Sequence, residues 1–425
     1  MRTLERHVLQ AIDTERLLEW LADLVAFRSV GGHETPAQER MAELMATVGL
    51  SVERWPIDLD ALRTHPAYTA DIERDHALGV RGRWGQGSGP TLVLNGHIDV
   101  VPAGDGNRWA YPPWQATRVG DYVYGRGTAD MKGALCCALV AIEALVQTGV
   151  SLRGAVELHS VVGEEDGGVG TLAAIAHGLE ADAAIVMEPT QLMVAPAQAG
   201  ALSFRITVPG SAAHGALRAE GVDPIDKFIP LYRALQTFEA QRNRAADDPL
   251  FAAFDVPFAL CIGTIRGGEW PSSVAESVVC EGRLGVGPHE DLPSVRSVFE
   301  QVVRHVAETD PWLRQHPPVV EWWGAQFAPA RTDSEDLIVQ TVSGAYEAVL
   351  REPPVCRGMP YGADMRLLVN QANIPTVLFG PGDIRNAHAP DEHIAVDQLI
   401  AASKMLALTI LRYCGGSVGG DVPSL

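Results

Sequence analysis

NGHIDVVP, residues 95–102, follows the apolar run 91–94 and so lies where a buried strand gives way to a loop. His97 and Asp99 are two positions apart, and in an extended backbone such side chains point to the same side. A carboxylate that accepts a hydrogen bond from one imidazole nitrogen fixes the tautomer of the ring. Histidines that bind a metal through the other nitrogen commonly have such a partner. The pair alone also fits an ordinary surface hydrogen bond, so its meaning depends on the other strand ends.

Three more strand-like runs also end in acidic or imidazole groups. They are residues 155–162, followed by Glu164 and Glu165 in GEEDGG; residues 182–187, followed by Glu188; and residues 375–380, which lead to His388. Asp130, within YGRGTADMKG, stands before the apolar helical pattern 131–146. Ligands of open α/β sheets bind just outside the carboxyl ends of the strands, so these groups are expected to converge. Each alone is typical of a solvated loop, but together they predict a metal site.

These motifs resemble those of the two-metal aminoacylase and carboxypeptidase family, which includes acetylornithine deacetylase, succinyl-diaminopimelate desuccinylase and peptidase T. The matching stretches are GHIDVVP, GRGTADMKG, GEEDGG, MEPT and AHAPDEH, in the family's order between residues 96 and 393. The resemblance implies an α/β fold with a zinc-peptidase-like catalytic domain. Its mixed, largely parallel sheet would be flanked by helices.

The resemblance also implies a set of ligands, matched position by position. His97, Asp130 and Glu188 would hold one metal ion. Asp130, Glu165 and His388 would hold the other, with Asp130 as the bridge. Three protein ligands per ion leave positions for water and the substrate carbonyl. Zinc is the expected metal, and cobalt or manganese is the alternative, because His, Asp and Glu suit all three.

Two further acidic residues receive implied roles. Glu164 would be the general base, which takes a proton from the attacking water and returns it to the leaving amine. Asp99 would orient His97. A plain loop carboxylate is the alternative for Glu164.

Composition limits the class of protein. The chain has 425 residues, 47% of them hydrophobic, and 33 basic against 53 acidic residues give a net charge of -20. This length predicts two or three domains. The acidity argues against nucleic acid or an anionic membrane as a partner. The absence of an apolar leader, and of any run of ~18 apolar residues, predicts a cytoplasmic protein. The six cysteines show no CxxC spacing and are predicted to be mostly buried, reduced thiols.

The composition changes near residue 199. From there the patterns read strand, helix, strand, strand, helix, strand, over residues 201–208, 224–239, 258–265, 277–284, 292–308 and 319–324. This order is typical of a ferredoxin-like α+β domain. We therefore predict a catalytic domain in two parts, 1–198 and 326–425, with residues 199–325 inserted as a lid. The resemblance implies that the lid also carries the contact of a homodimer.

One further residue is expected to act in catalysis, and three are expected to bind substrate: Arg283, Arg366 and Ser272. His214, in VPGSAAHG, matches a histidine that stabilises the tetrahedral oxyanion of the partner subunit's site, although a lone solvated histidine is the alternative. Arg283 matches the family's arginine for a substrate carboxylate, and Arg366, in YGADMR, is a second candidate. In GGEWPSSVAE, Ser272 stands where many relatives have asparagine, and Ala275 where they have proline. This loop faces the acyl or carboxylate end, so the departure leaves the substrate open.

The leading hypothesis is a homodimeric two-metal amide hydrolase that removes an acyl group from a small N-acyl amino acid or related amine. An N-formyl pyrimidine deformylase or an N-carbamoyl amino acid hydrolase would use the same machinery. The non-enzymatic alternative is a metal-binding or ligand-binding protein, against which Glu164 counts. The polar segment 58–76 fits no pattern, and residues 415–425 are predicted to be disordered.

Overall fold

The computed structural model describes residues 1–85 and 87–418. The helices are α1 (Thr3–Gln10), α2 (Thr14–Val25), α3 (Thr35–Thr47), α4 (Leu59–Arg63), α5 (Gly133–Gln147), α6 (Val169–Ala176), α7 (Pro224–Ala245), α8 (Leu292–Thr309), α9 (Leu337–Leu350), α10 (Met365–Asn370) and α11 (Val396–Tyr413). The strands are β1 (Ser51–Pro56), β2 (Leu78–Trp84), β3 (Thr91–His97), β4 (Thr117–Val119), β5 (Tyr122–Tyr124), β6 (Val150–Leu152), β7 (Ala155–Val161), β8 (Ala183–Val186), β9 (Ala197–Gln198), β10 (Gly200–Pro209), β11 (Ala213–His214), β12 (Leu260–Gly267), β13 (Ser273–Val274), β14 (Ser277–Val286), β15 (Val319–Phe327), β16 (Ala330–Arg331), β17 (Thr376–Leu378), β18 (His393–Ala395) and β19 (Gly416–Val418).

The chain divides into two compact units. The main unit comprises Met1–Ala197, Arg331–Arg357 and the chain from Ala363 onward, and the insert comprises Gln198–Ala330 and Gly358–Gly362. The sequence placed the insert at 199–325 and did not include the second segment. That segment joins the insert through hydrogen bonds such as Ala199 N–H to the Met359 carbonyl, at 2.8 Å. No periodic pattern marks such a non-sequential contact.

The main unit is built on a six-stranded sheet with the order β1-β2-β7-β3-β8-β17. The neighbours β7, β3, β8 and β17 run parallel, whereas β1 and β2 pair antiparallel. The prediction of a mixed, largely parallel sheet is therefore confirmed. The four parallel strands are those that precede the predicted ligands, and their carboxyl ends meet at one edge of the sheet.

Helix α5 is the buried helix of the main unit, and it packs against β3, α2 and α11. All but Glu143 and Gln147 of its residues are apolar or small, which is typical of a helix without a broad solvent face. The sequence predicted that this helix begins at residue 131, but it begins at Gly133. Asp130 and Met131 have φ values of -128° and -136°, which are not helical, so the chain turns at Asp130 before the helix can start.

The end of the described chain is ordered. Gly416–Val418 forms β19, which pairs antiparallel with β6. The prediction of disorder is therefore wrong for these residues, because glycine-rich composition does not reveal that a strand edge is near enough to pair with them. Residues 419–425, to which the same prediction applied, lie outside the described residues.

The insert has a four-stranded antiparallel sheet with the order β12-β14-β10-β15. Helices α7 and α8 share an apolar core with the sheet, in which Phe204, Phe238 and Phe299 are in ring contact. The β-α-β-β-α-β order and this strand arrangement confirm the predicted ferredoxin-like domain.

The insert leaves and rejoins the main unit at neighbouring residues. The backbone N–H of Thr332 donates to the carbonyl of Pro196 at 2.8 Å.

Among residues 1–85 and 87–418, no helix is both long and apolar enough to cross a bilayer. Of the six cysteines, Cys261 and Cys356 are exposed, the other four are buried, and all are free thiols.

Candidate metal centre

His97 ends β3, and both it and Asp99 are only 1% exposed. The Nδ1 atom of His97 lies 2.9 Å from the Asp99 carbonyl oxygen, to which it donates. The Asp99 carboxylate is more distant, with Oδ1 3.7 Å from Nδ1. Its Oδ2 instead accepts from the backbone N–H of Glu165 at 3.1 Å. Asp99 thus holds the ring mainly through its main chain, and its side chain ties this strand end to the next loop.

The Asp130 carboxylate faces two imidazoles. Its Oδ1 lies 3.0 Å from Nε2 of His97, and its Oδ2 lies 3.4 Å from Nε2 of His388. The same His388 nitrogen is 3.0 Å from Oε1 of Glu165. One carboxylate oxygen turned toward each ring is the arrangement by which a carboxylate bridges two cations.

His388 adopts a φ of +60°, in the left-handed region that non-glycine residues rarely enter. Such a conformation costs free energy and persists where the surrounding structure holds it. It lies in the loop between β17 and β18, and it brings the half-exposed imidazole to Asp130 and Glu165. The strained backbone at His388 therefore places the His388 side chain in the site.

Glu164 and Glu188 follow β7 and β8. Possible ligand atoms of His97, Glu164 and Glu188 lie within 4.8 Å of one another. The same holds for His97, Asp130 and Glu165. The structure therefore brings Glu164 and all five predicted ligands to one edge of the sheet.

The carboxylates of the centre are buried close to one another. Burial raises the pKa of Glu164 well above its ordinary value, and the charges of Glu188 and Asp364 raise it further. Burial likewise raises the pKa of Glu188, with the charge of Asp130 as the next cause. These groups hold protons more tightly because burial and the neighbouring carboxylates both disfavour their charged form.

The pKa values of the two imidazoles, His97 and His388, are also raised. Burial lowers the pKa of His97, but its hydrogen bond with Asp130 and the charge of Asp99 outweigh this and raise it. Hydrogen bonds with Asp130 and Glu165 raise the pKa of His388 to about 10. The cluster as a whole therefore attracts positive charge.

A divalent cation fits this set of donors. Oε1 of Glu188 is buried and has no hydrogen-bond partner among the described residues. Because Nδ1 of His97 donates to a carbonyl, Nε2 is the ring nitrogen that remains to face the Asp130 carboxylate. A cation between the two atoms would take the place of the proton that they share and accept a lone pair from each. The unpartnered oxygen and the crowded acceptors are what a metal centre requires.

Residues 93–412 match the sequence profile of peptidase family M20/M25/M40. The chain belongs to this family. The resemblance of the motifs is therefore confirmed, and the protein is a hydrolase whose candidate metal centre is made of His, Asp and Glu side chains.

The M20/M25/M40 relatives match almost the whole chain. N-formyl-4-amino-5-aminomethyl-2-methylpyrimidine deformylase from Halalkalibacterium halodurans is 28% identical over 423 residues, 94% of this chain and 95% of that protein. A probable succinyl-diaminopimelate desuccinylase from Staphylococcus epidermidis is 25% identical over 418 residues, 93% of this chain and 96% of that protein. The solved structure of a dinuclear metal binding M20 peptidase from Bacillus subtilis has a TM-score of 0.62 and 16% identity and covers 94% of this chain and 98% of its own.

Arg366 is only 3% exposed in this M20/M25/M40 hydrolase. Its guanidinium donates to the Gly167 carbonyl at 2.8 Å. Nearby Asp364 is fully buried, and its Oδ2 accepts from the Thr171 hydroxyl at 2.6 Å. The first contact supports the loop after β7, and the second supports α6, which follows that loop. Substrate binding by Arg366 stays a prediction.

The insert of the M20/M25/M40 chain holds the other predicted substrate residues. His214 is exposed, and β11 pairs with β13 so that it lies opposite Ser273. The Gly215 N–H donates to the Ser272 carbonyl at 2.6 Å, so His214 and Ser272 belong to one small ribbon. Arg283 lies in β14 and donates to the Pro360 carbonyl at 3.1 Å. The roles of all three in catalysis stay predictions.

Sequence reasoning missed Glu392, although the residue lies within the quoted motif AHAPDEH. The side chain is buried, and Oε1 accepts from the backbone N–H groups of Ala129 and Asp130 at 3.0 and 3.1 Å. Oε2 accepts from Arg126 at 2.5 Å. Glu392 therefore fixes the main chain at the bridging carboxylate. The signal available in the sequence was the presence of opposite charges in two motifs, Glu392 in AHAPDEH and Arg126 in GRGTADMKG, which could have been expected to pair.

Proposed function

We propose that the protein is a two-metal amide hydrolase that removes a small acyl group from an amine. The observation that carries this proposal is the Asp130 carboxylate, which faces His97 with one oxygen and His388 with the other. Glu164 stands beside these groups without being needed as the bridge. Zinc is the proposed metal, with cobalt or manganese as alternatives. The dinuclear metal binding described for the Bacillus subtilis relative supports two ions per chain.

The division of labour follows from the contacts. Bound dications would polarise the amide carbonyl and lower the pKa of the attacking water. Glu164 takes the proton of that water and passes it to the departing amine, and its buried surroundings raise its pKa, which makes it a stronger base. Asp99 fixes the ring of His97, and Glu392 fixes the main chain of Asp130. The protein groups thus hold the geometry and move the proton.

The leading substrate is a small N-acyl amino acid or a related amine. A second candidate is an N-formyl aminomethylpyrimidine, because the relative that carries this activity in its name is 28% identical over 94% of the chain. The small Ser272 in place of asparagine also supports a substrate outside the common N-acyl amino acids. Both candidates are linear amides, so they use the same metal centre.

A panel of amides tests this proposal. The protein, loaded with zinc, cobalt or manganese, is incubated with N-acetylornithine, N-succinyl-diaminopimelate, the N-formyl aminomethylpyrimidine and an N-carbamoyl amino acid, and the released amine is measured. We expect one class to exceed the others in kcat/KM by at least about tenfold, which corresponds to about 1.4 kcal/mol of transition-state binding. No turnover of any member by a metal-loaded protein would support the non-catalytic alternative.

We also propose that the protein is a homodimer through its insert and lies in the cytoplasm. β12 is an edge strand of the insert sheet, and its Ile265 is 57% exposed. Ile225, Ile229 and Tyr232 are exposed at helical spacing on α7. An open strand edge and an apolar stripe both support pairing with another copy. The free thiols support a reducing compartment.

A mixed dimer tests whether His214 serves the partner subunit. His214→Ala and Glu164→Ala homodimers are each expected to be nearly inactive. In a mixed dimer, the Glu164→Ala chain still carries His214 and can lend it to a chain whose Glu164 is intact. Doubly tagged mixed dimers should therefore recover up to about half of wild-type activity, as independent sites would. A mixed dimer as inactive as its parents, with its metal content confirmed, would refute this assignment.

A further inference from the structure

The segment 58–76, which no sequence pattern explains, places one arginine against the loop after β7. The Arg74 side chain is 1% exposed. Its guanidinium makes two parallel hydrogen bonds to Asp166, Nη1 to Oδ2 and Nη2 to Oδ1, both of 2.8 Å. Its Nε and Nη2 also donate to Oε1 of Glu34 at 3.2 and 2.8 Å. A buried bidentate pair fixes orientation as well as distance.

Asp166 directly follows Glu164 and Glu165 in the chain. Its Oδ2 also accepts from the backbone N–H of Ile72 at 3.0 Å. Its carbonyl accepts from the backbone N–H of Asp71 at 3.2 Å. The segment therefore holds this residue by both side chain and main chain, one position from a proposed metal ligand.

The same segment packs closely against both ends of the loop. Gly163 has a φ of +66°, and a Cβ there would lie 2.8 Å from Nη2 of Arg74. Gly167 has a φ of +138°, and its Cβ would lie 2.8 Å from the carbonyl carbon of Thr69. Neither position has room for a side chain without movement. The segment 58–76 therefore packs against the loop after β7 and restricts its backbone conformation.

We propose that Arg74 is a positioning residue for hydrolysis: through Asp166 it fixes the loop from which Glu165 reaches the metal ions and Glu164 reaches the attacking water. This inference rests on the proposed function. Arg74 itself contacts neither of these glutamates in the contacts described above. It acts by holding their backbone, and it neutralises two carboxylates, Asp166 and Glu34, that would otherwise add to the negative charge beside the centre.

Arg74→Met and Arg74→Lys test the proposal. Residues that support metal ligands typically change metal affinity or activity by about 10–100-fold when they are mutated. For Arg74→Met we expect a fall of this size in kcat at saturating metal, and a rise of similar size in the Kd for zinc measured against a competing chelator. KM should change by less than about threefold, since substrate contacts remain. The kcat and zinc affinity of Arg74→Lys should lie between those of the wild type and Arg74→Met. Lysine keeps the positive charge but cannot make the two parallel hydrogen bonds of the guanidinium.

Arg412→Met is the matched control. Arg412 also pairs with a buried carboxylate of the main unit, Glu5, at 2.9 Å, but this pair joins α11 to α1 and does not involve the loop after β7. We expect this variant to lower the melting temperature while it leaves kcat and zinc affinity within about twofold of the wild type. The comparison separates loss of an ion pair from loss of loop position.

Three outcomes would overturn the inference. A folded Arg74→Met protein with wild-type kcat and zinc affinity would do so. Asp166→Asn, which keeps Arg74 and its bond to Glu34, is expected to reproduce the loss, and wild-type behaviour there would also contradict the proposal. Failure of both variants to fold would assign the cluster to folding instead. A wild type that hydrolyses no amide would refute the proposed function, while the zinc-affinity measurement would still test Arg74.

Discussion

Glu164→Ala is expected to reduce kcat by at least about 10²–10⁴-fold while the metal content stays unchanged, because a general base contributes about this much to the transition state. Glu164 lies within 4.8 Å of His97 and Glu188 without being the bridging group. Its loss therefore removes the acceptor of the water's proton and spares the bridge. The effect should appear in kcat and kcat/KM alike, as for an interaction made only in the transition state.

Glu165→Ala is the matched control for this variant. Glu165 is the adjacent residue in the same loop, and its Oε1 meets Nε2 of His388 at 3.0 Å. We expect it to lose metal as well as activity, and an excess of zinc should restore part of the activity. Metal analysis by mass spectrometry and steady-state kinetics on both variants decide the matter. If Glu164→Ala loses metal and Glu165→Ala keeps it, the two roles have been assigned in reverse.

Removal of metal is expected to abolish hydrolysis and leave most of the fold intact. The proposed ligands lie at the ends of strands that a buried apolar core already holds, so the metal does not build this core as it does in a zinc finger. The metal-free protein should keep its far-UV circular dichroism and unfold cooperatively. Its melting temperature should be lower, because ions that bind only the folded state stabilise it.

The same experiment fixes the stoichiometry. Active protein should contain up to two divalent ions per chain, since each Asp130 oxygen faces a separate imidazole. Asp130→Asn is expected to lower the content of both ions, because the bridging charge serves the two together. Fully active protein that never binds more than one ion per chain would refute the bridging role.

The parts of the site that sequence predicts are those marked by local pattern. His97 and Glu188 follow short apolar runs, and such runs indicate buried strands whose carboxyl ends meet. Asp130 precedes an apolar run long enough to be a buried helix. The alternating runs of the insert gave its β-α-β-β-α-β order in the same way. In each case the signal lies within about ten residues of the feature.

The parts that sequence does not predict depend on pairs of distant residues. Arg74 pairs with Asp166, 92 positions away, and Glu392 binds the backbone of Asp130 from 262 positions away. Neither partner carries a period that marks it as buried, because a single charged residue in a polar loop is typical of solvent exposure. For His97 the sequence predicted the orienting residue, Asp99, but not the orienting atom, since the contact comes from the Asp99 carbonyl and every residue has a carbonyl.

The hydrogen bond between Thr332 and Pro196 has a consequence for how the length of this chain can vary. The main unit itself closes the two ends of the insert, so the inserted residues behave as a loop whose ends are already together. The entropy of such a loop grows only with the logarithm of its length, and each doubling costs about 0.6 kcal/mol. Residues can therefore be gained, lost or exchanged between these two points at little cost to the sheet. The strand ends that carry the candidate ligands can therefore stay unchanged while the inserted part changes in length and sequence.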